Sequence, residues 1–262
     1  MNRSCLMLLT KSVIPLIIFF LLCEIAEPAT DSSAGPAIMP SAESRALSTF
    51  ILNLEFPSQY NPDQYSYCNE EQDLGYGNVI NCTIIDNTWH VTKIVLRDVP
   101  LDGYINAAVK NLTYLEILDL ANNNIQGHIP SALGNLYHLT YLYLYKNFLN
   151  HSIPPSFGDL SSLEQTDLSF NRLSGSIPGE LGKLGKLERL ELSENELNGS
   201  LPKELGKLSN LRTLSLSSNY FTGNLPDEYQ NIAPMENFYV AGNSLTGPFP
   251  KFVTKWVNLS VL

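Results

Sequence analysis

Leu115-Glu-Ile-Leu118-Asp-Leu120-Ala-Asn-Asn123-Asn-Ile125-Gln-Gly127-His-Ile129-Pro130 is the stretch that decides the architecture of this chain. The phrase begins again, with substitutions, at Leu139, Leu163, Leu187, Leu211 and Met235. Its asparagine returns as Asn123, Asn147, Asn171, Asn195, Asn219 and Asn243, a spacing of 24 residues without a slip. A looser unit starts at Val91, where Val99 stands for the asparagine and Asn106 for the proline, and another begins at Leu259. Self-similarity at a fixed period of this size marks a solenoid in which each unit forms one coil.

Within a unit, the alternation of Leu118 and Leu120 predicts a short strand, with leucines inward and Glu116, Ile117 and Asp119 outward. An amide recurring in an apolar column is tolerated only when hydrogen-bonded, which predicts an asparagine ladder between turns. Gly127 permits a backbone conformation closed to other residues, and Pro130 fixes a turn into a return segment whose Leu133 and Leu136 face inward. The apolar residues of one coil cannot offset the entropy of ordering it, so coils must stack. The expected fold class is an α/β solenoid: a right-handed superhelix of 24-residue coils with a parallel β-sheet on its concave face. Seven full coils and an incomplete eighth fill residues 91–262.

Outside the repeats the chain reads differently. Arg3 and Lys11 precede an apolar run from Val13 to Cys23, and small or polar residues follow. Residues 1–29 therefore read as a secretory signal, because the run is far shorter than the roughly 20 residues of a spanning helix. Residues 30–40 read as a flexible leader and 41–90 as an N-terminal cap, its Ala46, Leu47, Phe50, Ile51 and Leu54 at helical spacing. In an oxidising compartment, Cys68 and Cys82 are the simplest disulfide pair once Cys5 and Cys23 leave with the signal. Sequons at Asn81, Asn111, Asn150, Asn198 and Asn258 are candidate glycan acceptors.

The half-motif Leu173-Ser-Gly175-Ser-Ile177-Pro178 resembles the plant-specific class of leucine-rich repeats. The phrases Gly-Glu-Leu-Gly-Lys-Leu at 179–184 and Lys-Glu-Leu-Gly-Lys-Leu at 203–208 are similar to ectodomains of plant leucine-rich-repeat receptor-like kinases, especially those with a malectin-like domain after the repeats. The resemblance spans about two thirds of the chain. It implies an extracellular module that binds a protein or peptide ligand, a co-receptor ectodomain or a cell-wall glycan. The kinase and membrane helix of such receptors would lie in a missing C-terminal part, making this chain a truncated ectodomain. The alternative is a free secreted binder, such as an inhibitor of pathogen wall-degrading enzymes. The cap departs from many relatives, with Trp89 rather than a cysteine before His90.

Little points to catalysis. The net charge of -10 argues against a nucleic-acid partner. His90, His128, His138 and His151 never reach metal-ligand spacing, and no cofactor or metal is expected. In Gly182-Lys183, Gly185-Lys186 and Gly206-Lys207 each lysine is followed by Leu, which fails the phosphate-loop pattern. Asp167 and Glu191, one coil apart, read as surface charge rather than an acid-base pair. The stronger candidate is the outward face of the concave sheet. Tyr141, Tyr143 and Tyr145 project from one strand beside Lys146, Asp167, Phe170, Arg189 and Glu191, with Ile117 and Asp119 on the preceding coil. Tyr and Arg are the residues on which interfaces most often depend.

Overall fold

Inward leucines at alternate positions produce one short strand in each coil. In the computed structural model, which describes residues 38–57, 72–73 and 77–261, these are β4 (Ile117–Asp119), β6 (Tyr141–Tyr143), β8 (Gln165–Asp167), β10 (Arg189–Glu191), β12 (Thr213–Ser215) and β14 (Asn237–Tyr239). Each is parallel to the next, with Leu118 opposite Leu142 and Leu190 opposite Leu214. The sheet begins at the cap with β1 (Gln72–Asp73), β2 (Val79–Ile85) and β3 (Thr88–Val95), joined antiparallel, and β3 passes the pattern on to β4 in parallel. Cys68 and residues 1–37 lie outside the described residues. All described residues belong to the compact unit Ala37–Leu262.

Each asparagine ties two coils. The Asn147 Oδ1 accepts from the Ile125 N–H at 3.0 Å, while its Nδ2 donates to the Leu120 carbonyl at 2.9 Å and the Leu144 carbonyl at 3.1 Å. Asn171, Asn195, Asn219 and Asn243 repeat these bonds one coil further on. Asn123 anchors the first rung on the Val99 and Leu101 N–H groups, so the coil that lacks an asparagine still has its backbone satisfied. Five of the six asparagines are buried, which this bonding makes tolerable.

A second sheet, not expected from the sequence, forms on another side of the coils. Its strands are β5 (Gln126–His128), β7 (Phe148–His151), β9 (Arg172–Gly175), β11 (Glu196–Ser200), β13 (Tyr220–Gly223) and β15 (Ser244–Leu245). Here partners lie 22 residues apart, as in Gln126 with Phe148, against 24 in the first sheet. The same offset separates each asparagine Oδ1 from its N–H donor in the coil before. A two-residue slip is about 6.6 Å of strand, so successive coils are skewed.

The expected solenoid with a parallel sheet is what the chain forms, and 3-10 turns make up its helical part. The return segments are five-residue 3-10 turns, for example Ser131–Asn135 and Lys203–Lys207, and the one α-helix among the described residues is the cap helix α1 (Ser41–Leu52). Close stacking explains the tight turns. A Cβ at Gly134 would lie 2.3 Å from the Ser156 carbonyl oxygen of the next coil, and one at Gly206 would lie 2.4 Å from that of Glu228.

The cap is bound through polar as well as apolar contacts. Leu47, Phe50 and Leu54 cover the first coil, all buried. Glu43, also buried, accepts from the Val91 N–H at 2.7 Å and meets the His90 Nδ1 at 2.8 Å. The helix end docks where the Tyr104 N–H donates to the Asn53 carbonyl at 2.9 Å.

Two residues break the local rules. His151 stands in the Gly127 and Gly175 column and keeps its left-handed backbone, with φ of 64°, where glycine carries no strain. Thr166 replaces a leucine of the inward stack between Leu142 and Leu190, and its buried hydroxyl has no hydrogen-bond partner among the described residues. Replacing Asn147 with alanine should orphan the Ile125 N–H and weaken two carbonyls, lowering unfolding free energy by roughly 2–3 kcal/mol. Thr166→Val should move it the other way by about 1 kcal/mol. Urea titration of both variants beside the parent checks the pair of signs.

Candidate functional site

The in-register sheet turns its outward side chains into columns that run from coil to coil. One holds Lys93, Ile117, Tyr141, Gln165 and Arg189, and the next holds Val95, Asp119, Tyr143, Asp167 and Glu191. The rings of Tyr141 and Tyr143 lie nearly parallel with centroids 6.3 Å apart. The Tyr143 hydroxyl donates to the Gln165 Oε1 at 2.8 Å, and the Tyr141 hydroxyl reaches the Glu164 Oε2 at 3.3 Å. The charge of Glu164 raises the Tyr141 phenol above its ordinary range, and burial does the same for Tyr143. Both remain neutral hydrogen-bond donors at physiological pH.

Several residues of the expected patch occupy other settings. Asp119 points to the outward face but is not an accessible carboxylate: it is 2% exposed and paired with the Arg97 guanidinium. It also accepts from the Ala121 N–H at 3.1 Å, since a buried carboxylate is tolerable only when fully bonded. Tyr145, beyond the end of β6, is half-buried, with the Arg97 guanidinium 5.9 Å from its ring centre. Lys146 and Phe170 sit past the strands, immediately before the ladder asparagines, in a left-handed position that recurs in every coil from Asp98 to Gly242. The Lys146 ammonium lies 5.9 Å from the Phe170 ring centre, so both belong to a rim rather than to the sheet face.

Asp167 and Glu191 are partly withdrawn from solvent. The Asp167 Oδ1 accepts from the Ser169 N–H at 2.9 Å and hydroxyl at 2.5 Å, and Arg189 holds Glu191 at 3.0 Å. Burial nonetheless outweighs these bonds and raises both carboxyls above their ordinary 3.8 and 4.5.

A cleft of about 380 Å³ opens at the cap end of the face, lined by Gly77, Lys93, Val95, Arg97, Ile117, Asp119, Tyr141 and Tyr143. It brings together four of the expected residues, Ile117, Asp119, Tyr141 and Tyr143. Tyr145, Lys146, Asp167, Phe170, Arg189 and Glu191 lie outside it. Sequence reasoning missed Lys93 and Arg97 because the first coil departs from the repeat. Subtracting one period from Ile117 and Ala121 would have found them.

The sequons stand apart from this cleft, with one exception. Asn111, Asn198 and Asn258 are exposed, and Asn150 is half-buried on the second sheet. Asn81, on β2, is the register partner of Lys93. The histidines form ring contacts rather than a ligand set: Tyr114 lies 4.0 Å from His90 and 5.4 Å from His138 between ring centres. Among the described residues no group of His, Cys, Asp and Glu could hold a metal ion, and no helix is long and apolar enough to cross a membrane.

The family model of a leucine-rich repeat region matches residues 76–262. The chain is a leucine-rich repeat protein. Its repeats align with the PEPR1–AtPEP1 structure at 30% identity and a TM-score of 0.75, covering 85% of this chain and 31% of that one. They also align with the ectodomain of the Arabidopsis thaliana membrane receptor kinase GASSHO1/SCHENGEN3 in complex with CASPARIAN STRIP INTEGRITY FACTOR 2, at 28% identity and a TM-score of 0.68, covering 84% of this chain and 29% of that one. The plant peptide hormone receptor RGFR1 in complex with RGF2 matches at 31% identity and a TM-score of 0.59, over 65% of this chain and 27% of that one. This leucine-rich repeat chain thus spans about a third of the length of these structural neighbours. A plant ice-binding protein, at 24% identity, shares the fold alone. No individually curated protein matches the sequence.

Since burial raises the Asp167 and Glu191 carboxyls, the folded repeat protein holds these protons more tightly than the unfolded chain. Their contribution to stability is full below pH 3.8 and 4.5 and is lost as pH rises through the higher folded values. Asp167→Asn should therefore raise the unfolding midpoint near pH 7 more than at pH 4. Calorimetric scans at both values provide the check.

Proposed function

We propose that this chain is an extracellular recognition module of a plant receptor-type protein, binding a peptide or a partner ectodomain along its concave sheet. The observation that carries the reading is the parallel, in-register column of half-buried tyrosines and flanking charges on one continuous face. Tyr141 and Tyr143 offer wide aromatic surface with a fixed polar tip and two rotatable torsions each, the economy that favours tyrosine in interfaces. The structural neighbours PEPR1–AtPEP1, the membrane receptor kinase ectodomain in complex with CASPARIAN STRIP INTEGRITY FACTOR 2 and the peptide hormone receptor RGFR1 in complex with RGF2 support it.

Delivery outside the cell belongs to the same proposal. Residues 1–29 act as the secretory signal, a Cys68–Cys82 disulfide staples the cap, and glycans occupy the sequons. A peptide laid across parallel strands about 4.8 Å apart meets a new pair of outward residues at each coil. Recognition then depends on side-chain identity along the columns rather than on added strand pairing, since the sheet already continues at both sides of β6.

Retention of a synthetic random-sequence peptide pool by the immobilised chain, read by mass spectrometry, tests the reading. Peptides recovered on the parent chain should bind Tyr143→Ala about tenfold or more weakly, and should bind Tyr220→Ala, altered on the second sheet, as well as the parent. Unchanged affinity for Tyr143→Ala would retire the concave face as the binding surface.

A further inference from the structure

The cleft at the cap end has a charge that the protein as a whole does not. The chain carries a net charge of -10, yet the cleft is lined by two cations, Lys93 and Arg97, and a single carboxylate, Asp119. Arg97 is committed to Asp119, whose side chain is 3% exposed while that of Arg97 remains 43% exposed. Among the described residues no carboxylate pairs with Lys93. Among the described lining residues one positive charge is left uncompensated. Around it stand the apolar Val95 and Ile117 and the Tyr141 and Tyr143 rings, whose low-polarity surface strengthens a charge contact made against them.

We propose that this cleft is a subsite for one carboxylate of an extended peptide ligand, with Lys93 as the cation that receives it. Resting on the peptide-recognition reading above, it adds the chemistry and direction of the ligand. The Lys93 ammonium supplies a charge-assisted hydrogen bond, and Arg97 adds its positive charge to the lining while keeping Asp119 as its partner. The direction follows from the opposite end of the same columns. Asp167 and Glu191 lie three and four strands from Lys93, roughly 14 and 19 Å away at about 4.8 Å per strand. Arg189 offsets Glu191 there, so an anion meets one net negative charge at that end against one net positive charge in the cleft, and the acid-bearing end of the ligand lies at the first coil. The carboxylate can come from a peptide C-terminus or from an Asp or Glu side chain, and the experiment separates them.

The whole chain, produced in a secretory host both as it stands and with Asn81→Gln, because Asn81 pairs across the sheet with Lys93 and enzymatic deglycosylation would leave an aspartate there, is offered three pools of N-acetylated octapeptides. All lack Lys, Arg and His. One is amidated and free of carboxylates, one ends in a free carboxylate, and one is amidated with a single internal Glu. At least one carboxylate pool should be retained about tenfold or more over the neutral pool, as expected for one charge-assisted contact, and the retained pool names the source. Lys93→Glu should abolish that preference, Lys93→Arg should keep it, and Lys93→Gln serves if the charge reversal disturbs folding, judged by the unfolding midpoint. Equal retention of all pools, or a preference that survives both Lys93→Glu and Lys93→Gln, overturns the subsite and leaves peptide recognition standing. Retention of no pool overturns both.

Discussion

The amide of a buried asparagine, bonded at once to its own coil and to the coil before, is the interaction on which this molecule is built. Asn147 takes the Ile125 N–H and gives to the Leu120 and Leu144 carbonyls. A backbone that turns sharply inside an apolar core would otherwise strand polar groups away from water, at about 1–3 kcal/mol each. The side chain resolves this because it carries an acceptor and two donors in one plane. It also sets the offset between coils, since its oxygen reaches 22 residues back while the strands pair at 24.

That offset links stability to shape and shape to recognition. The first sheet stays in register, so outward residues line up into continuous columns, while the second sheet slips by two residues per coil. The columns are why Tyr141, Tyr143, Lys93 and Asp119, scattered along the sequence, share one cleft. Left-handed residues just before each asparagine lie past the strand ends and divide face from rim. Thus Phe170 and Lys146, with side chains suited to a binding face, stand beside it instead.

Burial redistributes the charges on that face. Asp119 is held inside by Arg97 and is unavailable to a ligand, whereas Asp167 and Glu191 keep some exposure at the expense of raised carboxyls. The face therefore has polarity along the solenoid axis, net positive and aromatic near the cap and, with Arg189 offsetting Glu191, net negative by one charge further on. An in-register array produces such a gradient directly, because each coil contributes the same two outward positions with different residues.

The repeat period, the inward leucines, the asparagine column and the glycine and proline turns were legible in the residues themselves, because a strict 24-residue recurrence admits only stacked coils. Tyr141 and Tyr143 could be placed outward from the alternation of their strand. Neither the 3-10 return segments nor the second sheet could be read, since both depend on how closely neighbouring coils approach at Gly134 and Gly206. The pairing of Asp119 with Arg97 and the exposure left to Lys93 were likewise decided only in three dimensions. Periodicity fixes which way a side chain points, whereas what it meets there depends on the coil stacked next to it, and above all on the cap, where the period breaks.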